Sequence, residues 1–176
     1  RENLLANMRH TSERKQAQAA LSERKQRYKT LFQSAPDAVF VVSAAGDNAG
    51  KIVAANEKAA RSHGYTVDEL IGMSIAQIDT PESAQHVPAR LAKLANGERL
   101  IFEVVHRRKD GSLLPVEVTA ERVMLDGRPH VLAFDRDLTY RKQTEAALRE
   151  SEERYKTIFQ SAPDAVYVID IDDGKA

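Results

Sequence analysis

From Glu2 to about Phe32, and again from Thr139 to about Phe159, charged and amide side chains dominate and neither Gly nor Pro interrupts. Ala, Glu, Lys, Arg and Gln lose little rotamer entropy in a helix, so both stretches predict long polar helices. In the first, Ala17, Leu21, Arg24, Tyr28 and Leu31 fall at alternating spacings of four and three. In the second, Thr144, Leu148, Ser151, Tyr155 and Ile158 do the same. This seam is thinner than the apolar stripe of a helix packed into a globular core. It suits a parallel coiled coil between two copies, with Leu21, Tyr28, Leu148 and Tyr155 at the contacts. The plainer alternative is a linker helix packed on its own domain.

Between the helices the period changes. "DAVFVVS" from Asp37 and "KIVAAN" from Lys51 are short β-branched runs separated by the turn-rich "AAGDNAG". Helix starts follow in close succession. Asn56 can cap "EKAARS", Thr66 with Glu69 and Ser74 with Gln77 fit the capping box, and Thr80 before Pro81 fits a cap with proline at the first helical position. The last of these helices is expected to run to about Ala95, before the stop signal "NG". "ERLIFEVVHRR", "SLLPVEVTAERVM" and "RPHVLAFDRD" then read as strands joined at "KDG" and "LDG", and an Asp-Gly pair between alternating strands is a strong hairpin signal. The fold class is α+β: a five-stranded antiparallel sheet with short helices on one face, flanked by long N-terminal and C-terminal helices.

Helices on one face of a sheet bury an apolar layer in which a small ligand can sit. Candidate pocket residues on the first two strands are Phe40, Val42 and the adjoining Asn56. The helical segment contributes Leu70, Ile75, Ile78 and Leu91. The last three strands contribute Phe102, Val104, Val116, Val118, Val131 and Ala133.

The chain also repeats itself. "RYKTLFQSAPDAVF" from Arg27 returns as "RYKTIFQSAPDAVY" from Arg154, and "RKQAQAAL" from Arg14 returns as "RKQTEAAL" from Arg141. A period of this length is that of a small domain plus a connector, too long for a solenoid. The organisation expected is a helix over 1–33, a domain over 34–138, a connector helix over 139–160, and the start of a second such domain over 161–176. Its "DAVYVIDID" has no sister strands downstream, so Val166, Val168 and Ile169 are expected to be frayed or paired with another molecule.

The stretches "YKTLFQSAPDAVFVV", "IVAANEKAARSHGYTVDELIGMSI", "FEVVHRRKDGSLLPVEVTAERV" and "RDLTYRKQTEAALRESEERY" together resemble a PAS domain, the bacterial sensory box. The resemblance covers about Tyr28 to Tyr140 and restarts at Tyr155. It implies a dimeric sensory input domain of a signal-transduction protein, whose output is a histidine kinase of a two-component system or a diguanylate cyclase. "DLT" from Asp137 resembles the family's Asp-x-Thr signature at the exit of the last strand, implying that Asp137 and Thr139 relay the signal into the connector. Alternatives are a ligand-free dimerisation module and a haem or flavin sensor of gas or redox state.

The resemblance also frames the cofactor. Flavin photochemistry and covalent chromophores in the family need a cysteine, and this chain has none. Haem-binding members carry a ligand histidine on the last helix before the third strand, where His86 lies. However, Val87, Leu91 and Leu94 form that helix's apolar stripe, while His86 shares a face with Arg90 and Lys93 and is expected to point at water. The loop and strand that follow, "GERLIFEVVHRR", also lack the insertion and inward arginine of the oxygen sensors. His86 is therefore the haem candidate in a chain for which haem is disfavoured.

Other chemistry is thinly written. His63 ends a helix beside Gly64, His106 lies beside a turn and His130 opens a strand; no metal-ligand spacing joins them, so no metal site is expected. No phosphate-binding glycine loop, nucleophile elbow or Cys–His pair occurs, and "HTSERKQ" from His10 does not look like a phospho-accepting histidine. The fragment itself is not expected to be an enzyme. Its 26 basic and 26 acidic residues balance, although 1–33 holds eight basic against three acidic. No global drive toward nucleic acid or membrane results, and no apolar run approaches spanning length. The partners expected are a second copy and an unidentified small molecule, and the location expected is the cytoplasm.

Overall fold

The computed structural model of the chain describes residues 2–161. The expectations for Val166, Val168 and Ile169 lie outside the described residues. The chain divides after Asp137 into two compact units.

The first unit opens with α1 (Glu2–Gln33) and continues into a sheet of five antiparallel strands: β1 (Ala38–Ser43), β2 (Ile52–Ala55), β3 (Leu100–Arg107), β4 (Leu113–Leu125) and β5 (Arg128–Asp137). Their order is β2-β1-β5-β4-β3, so the last strand sits at the centre beside the first. The helices α2 (Glu57–His63), α3 (Val67–Leu70), α4 (Pro81–Ala84) and α5 (Val87–Ala95) lie between β2 and β3 in sequence. The period-2 pattern read from β4 is obeyed. Val116, Val118 and Ala120 are buried, while Glu117 and Thr119 between them are half-buried on the other face. Register carries the inward row across the sheet, with Phe102 opposite Val118, Val118 opposite Asp135, and Asp135 opposite Ala38. Both expected Asp-Gly turns form. At the second, Asp126 and Gly127 adopt φ of 50° and 72°, the left-handed pair that a two-residue hairpin requires.

Most of the expected helix caps form. Thr66 and Glu69 close a full capping box, and Asn56 caps α2 through its side chain. Two details differ. The Thr80 hydroxyl donates to the Ser83 hydroxyl at 3.1 Å instead of capping a backbone amide. The single helix expected from Thr80 to Ala95 is two helices, because Pro88 has no N–H and its ring would strike the carbonyl of Ala84, four residues back. The chain therefore ends α4 at Ala84 and restarts α5 at Val87, with Pro88 in the first turn where a missing N–H costs nothing.

The second unit holds α6 (Thr139–Ser161), laced by i,i+4 pairs such as Arg154–Glu150 at 3.0 Å and Arg141–Glu145 at 3.5 Å. No helix among the described residues is long and apolar enough to cross a membrane.

Candidate functional site

One buried amide joins three elements. Asn56 is fully buried. Its Oδ1 accepts from the amides of Val39 at 3.0 Å and Ala59 at 2.8 Å, which is the N-cap of α2. Its Nδ2 donates to the carbonyls of Asp37 at 3.1 Å and Phe32 at 3.2 Å. The Gln33 side chain adds a second tie by accepting from the Glu57 amide at 2.7 Å. The last turn of α1 is thus fastened to the start of β1 and the start of α2. All four hydrogen-bonding positions of the amide are used, which is how a buried polar group avoids its desolvation cost.

Between the helices and the inner face of the sheet lies a partly open cavity of about 60 Å³. Its walls are mostly apolar: Val42 from β1, Ile75 from the loop after α3, Val87, Leu91 and Leu94 from α5, and Phe102, Val118, Ala120, Val131 and Ala133 from the last three strands. One end is polar, formed by Asp79, Arg90, His106 and Asp135. The guanidinium of Arg90 lies 4.0 Å from the Phe102 ring centroid, a cation–π stack that closes part of the wall. The volume is well below the roughly 300–1,000 Å³ of pockets for drug-sized ligands. It suits a few waters or a very small molecule.

The polar end is an ordered chain of ring nitrogens and carboxylates. His63, at the last turn of α2, directs Nδ1 to the carbonyl of Ala59 at 2.9 Å. A carbonyl only accepts, so Nδ1 carries the proton and Nε2 is a bare acceptor in the neutral ring. That Nε2 lies 2.9 Å from Nδ1 of His106 on β3. The other nitrogen of His106, Nε2, faces Asp79 Oδ1 at 3.2 Å, and Asp135 Oδ2 lies 3.5 Å from His106 Nδ1. That Oδ2 has no hydrogen-bond partner. Burial, followed by the neighbouring His106, pushes the His63 pKa down to about 4 and keeps the ring neutral. Burial also pushes the Asp135 carboxyl up to about 6, against the opposing pull of His106. The backbone holds the cluster from outside. The Lys109 amide donates to the His63 carbonyl at 3.0 Å, Arg107 to Ile78 at 2.7 Å and Thr80 to Val105 at 3.2 Å.

Of the pocket residues expected from sequence, Val42, Ile75, Leu91, Phe102, Val118, Val131 and Ala133 line the cavity. Phe40, Leu70, Ile78, Val104 and Val116 are buried in the core and do not line it, and Asn56 is occupied by the joint with α1. His86 is exposed at the start of α5 and is absent from the cavity wall. Arg90, assigned to the solvent face, is on that wall, because it lies three residues after Val87 and four before Leu94, on one face of α5. Asp137 is exposed at the end of β5, opposite Val116, and Thr139 opens α6. Leu21, Tyr28, Leu148 and Tyr155 are 54%, 61%, 62% and 63% exposed.

The histidines are the main correction. Spaced irregularly along the sequence, His63 and His106 are 43 residues apart yet in contact, and His106 is buried instead of lying at an open turn. Of the three histidines expected to be dispersed, His130 stands apart, with its Nδ1 3.0 Å from the Arg128 carbonyl. The one local clue was His63 at i+4 from Ala59, whose carbonyl takes the Nδ1 bond.

Comparison with known proteins places these features in a family. The PAS domain family matches residues 36–139, and a second PAS domain match covers 153–175, where the repeated motif lies. The methyl sulfide methyltransferase-associated sensor of Methanosarcina acetivorans is 30% identical over 135 residues, covering 76% of this chain and 13% of that protein. Sporulation kinase E of Bacillus subtilis is 25% identical over 163 residues, 93% of this chain and 21% of the kinase. Sensor protein FixL of Bradyrhizobium diazoefficiens is 27% identical over 143 residues, 78% of this chain and 28% of its own length. The chain therefore spans less than a third of each of these relatives. Among solved structures, the PAS domain of an HTR-like protein from Haloarcula marismortui superposes with a TM-score of 0.63 at 33% identity, covering 70% of this chain and 98% of that one. A sheet in the order β2-β1-β5-β4-β3, a helical segment over its inner face and a match across 36–139 lead to one conclusion: the chain belongs to the PAS domain family.

Proposed function

We propose that this PAS domain is a regulatory input module of a longer signal-transduction protein, passing a small-ligand or conformational signal through its flanking helices to an output such as a histidine kinase. The observation that carries this reading is the role of β5. Val131, Ala133 and Asp135 on that strand line the cavity, and the chain leaves the strand at Asp137 to begin α6 at Thr139. A change of cavity contents acts on the strand that is continuous with the connector. Homology to sensor kinases over part of their length supports the kind of output. In this reading 1–33 and 139–160 are signalling helices around a domain at 34–138, with the start of a second PAS domain over 161–176. The exposed seam residues pair two copies in parallel.

The test uses the full-length protein and its output, measured as phosphotransfer from ATP or as cyclic-dinucleotide synthesis. Ala133→Leu fills the cavity and serves as a surrogate stimulus that shifts output. Asp137→Ala should abolish that shift while circular dichroism of the domain stays native. If Ala133→Leu shifts output equally with and without Asp137, the β5-to-α6 route is wrong.

A further inference from the structure

We propose that His63, His106 and Asp135 form a binding site for a divalent transition-metal ion, of the zinc or ferrous class, at the polar end of the cavity. The three offer ligand atoms within 4.8 Å of one another, and all three residues are more than nine-tenths buried.

Hydrogen-bond direction makes the case. His63 Nδ1–H donates to the Ala59 carbonyl, and His106 Nε2 faces Asp79 Oδ1 at 3.2 Å. The inner nitrogens, His63 Nε2 with its lone pair and His106 Nδ1, face each other at 2.9 Å. Asp135 Oδ2 lies 3.5 Å from His106 Nδ1, a third electron-rich atom with no hydrogen bond of its own. Two buried acceptors, His63 Nε2 and Asp135 Oδ2, thus converge on one ring nitrogen, which carries at most one proton. That proton satisfies His63 and leaves Asp135 Oδ2 without a hydrogen bond. One metal ion engages all three.

The donor chemistry fits. Two imidazoles and one carboxylate suit zinc or ferrous iron. The Ala59 carbonyl and the Asp79 carboxylate hold the rings by their outer nitrogens, the arrangement that orients metal-binding imidazoles and raises their basicity. Ligands about 2.0–2.2 Å from a shared ion lie roughly 3.0–3.5 Å apart, so the two rings already have about that spacing and binding closes His63 and Asp135 by on the order of 1 Å. The cavity supplies an entry path and room for a water or small molecule in the remaining coordination positions. The site stands on its own geometry and does not depend on the relay through α6.

The chain, stripped with chelator and dialysed, is titrated with Zn²⁺ by isothermal titration calorimetry. One equivalent per chain is expected. Asp135→Asn and His63→Gln should each weaken binding at least about tenfold, and Asp79→Asn, which removes only the support of His106, by roughly tenfold. His86→Ala and His130→Ala should leave it unchanged. Circular dichroism checks each variant, and the near-isosteric Asp135→Asn decides if His63→Gln does not fold. Absence of stoichiometric uptake overturns the proposal. So does uptake undiminished in Asp135→Asn, or uptake lost in His86→Ala or His130→Ala.

Discussion

Replacing Asn56 with Ala removes four hydrogen bonds at once: two accepted from Val39 and Ala59, two donated to Asp37 and Phe32. A hydrogen bond contributes about 1 kcal/mol net, and a buried group left without a partner costs about 1–3 kcal/mol. The Ala59 bond is an N-cap, worth about 1 kcal/mol by itself. Val39 is buried, so water cannot readily take over its amide. The sum is a loss of about 3–5 kcal/mol, a large part of the 5–15 kcal/mol that holds a typical domain together. For a domain of this size that lowers the melting temperature by about 10–20 °C. Thermal unfolding and urea titration, both followed by circular dichroism, measure it. Asn56→Asp sharpens the test, because it keeps the accepting oxygen but turns a second oxygen toward two carbonyls. Burial and those carbonyls raise the folded-state pKa of the new carboxyl above its unfolded value. Its stabilising contribution is then complete below the unfolded pKa and is lost as pH rises through the folded one. Asn56→Asp should therefore be at least as damaging as Asn56→Ala at neutral pH and should recover on acidification. An alanine variant within about 1 kcal/mol of wild type refutes the account of the joint.

Two further outcomes follow from exposed features. Leu21→Glu should weaken self-association in analytical ultracentrifugation, since the seam gains about 25 cal/mol per Å² of apolar area it buries; an unchanged sedimentation profile would mean that the seam forms no dimer. The Glu69 carboxylate is held below the ordinary glutamate range, first by its hydrogen bond from Lys109 and then by the Thr66 amide. Its contribution is present above the unfolded pKa and is lost as pH falls through the folded one. An NMR titration should find Glu69 shifted down, with Lys109→Ala moving it back up; no movement would show that the contact is not made in solution.

What could be read from the sequence was what neighbouring residues decide among themselves. Asp126 and Gly127 specify their turn, the alternation through Val116, Val118 and Ala120 specifies a strand face, and Thr66 with Glu69 specifies a helix start. The sheet followed from such signals. The polar end of the cavity did not, because His63, Asp79, His106 and Asp135 sit on four separate segments and share no spacing. Their meeting is a product of strand order, which places β5 in the middle of the sheet. Asn56 was half legible. Its cap lies three residues from its partner, whereas its bond to Phe32 spans 24 residues. Arg90 shares the phase of Val87 and Leu94, at spacings of three and four, and its charge masked that placement.

Phase is also where the Asn56 joint has its consequence. Because the Phe32 carbonyl is fastened to the domain, the azimuth of α1 at that end is fixed, and the seam can change direction only by a change in helix length or winding. Each residue inserted between Tyr28 and Phe32 would turn Leu21 and Tyr28 by about 100° around the helix axis and move them about 1.5 Å along it. An insertion of seven residues nearly restores the original facing, whereas one of two turns the seam almost to the opposite side. The joint makes α1 a shaft keyed to the domain, in which residue count sets the angle at which two copies can meet.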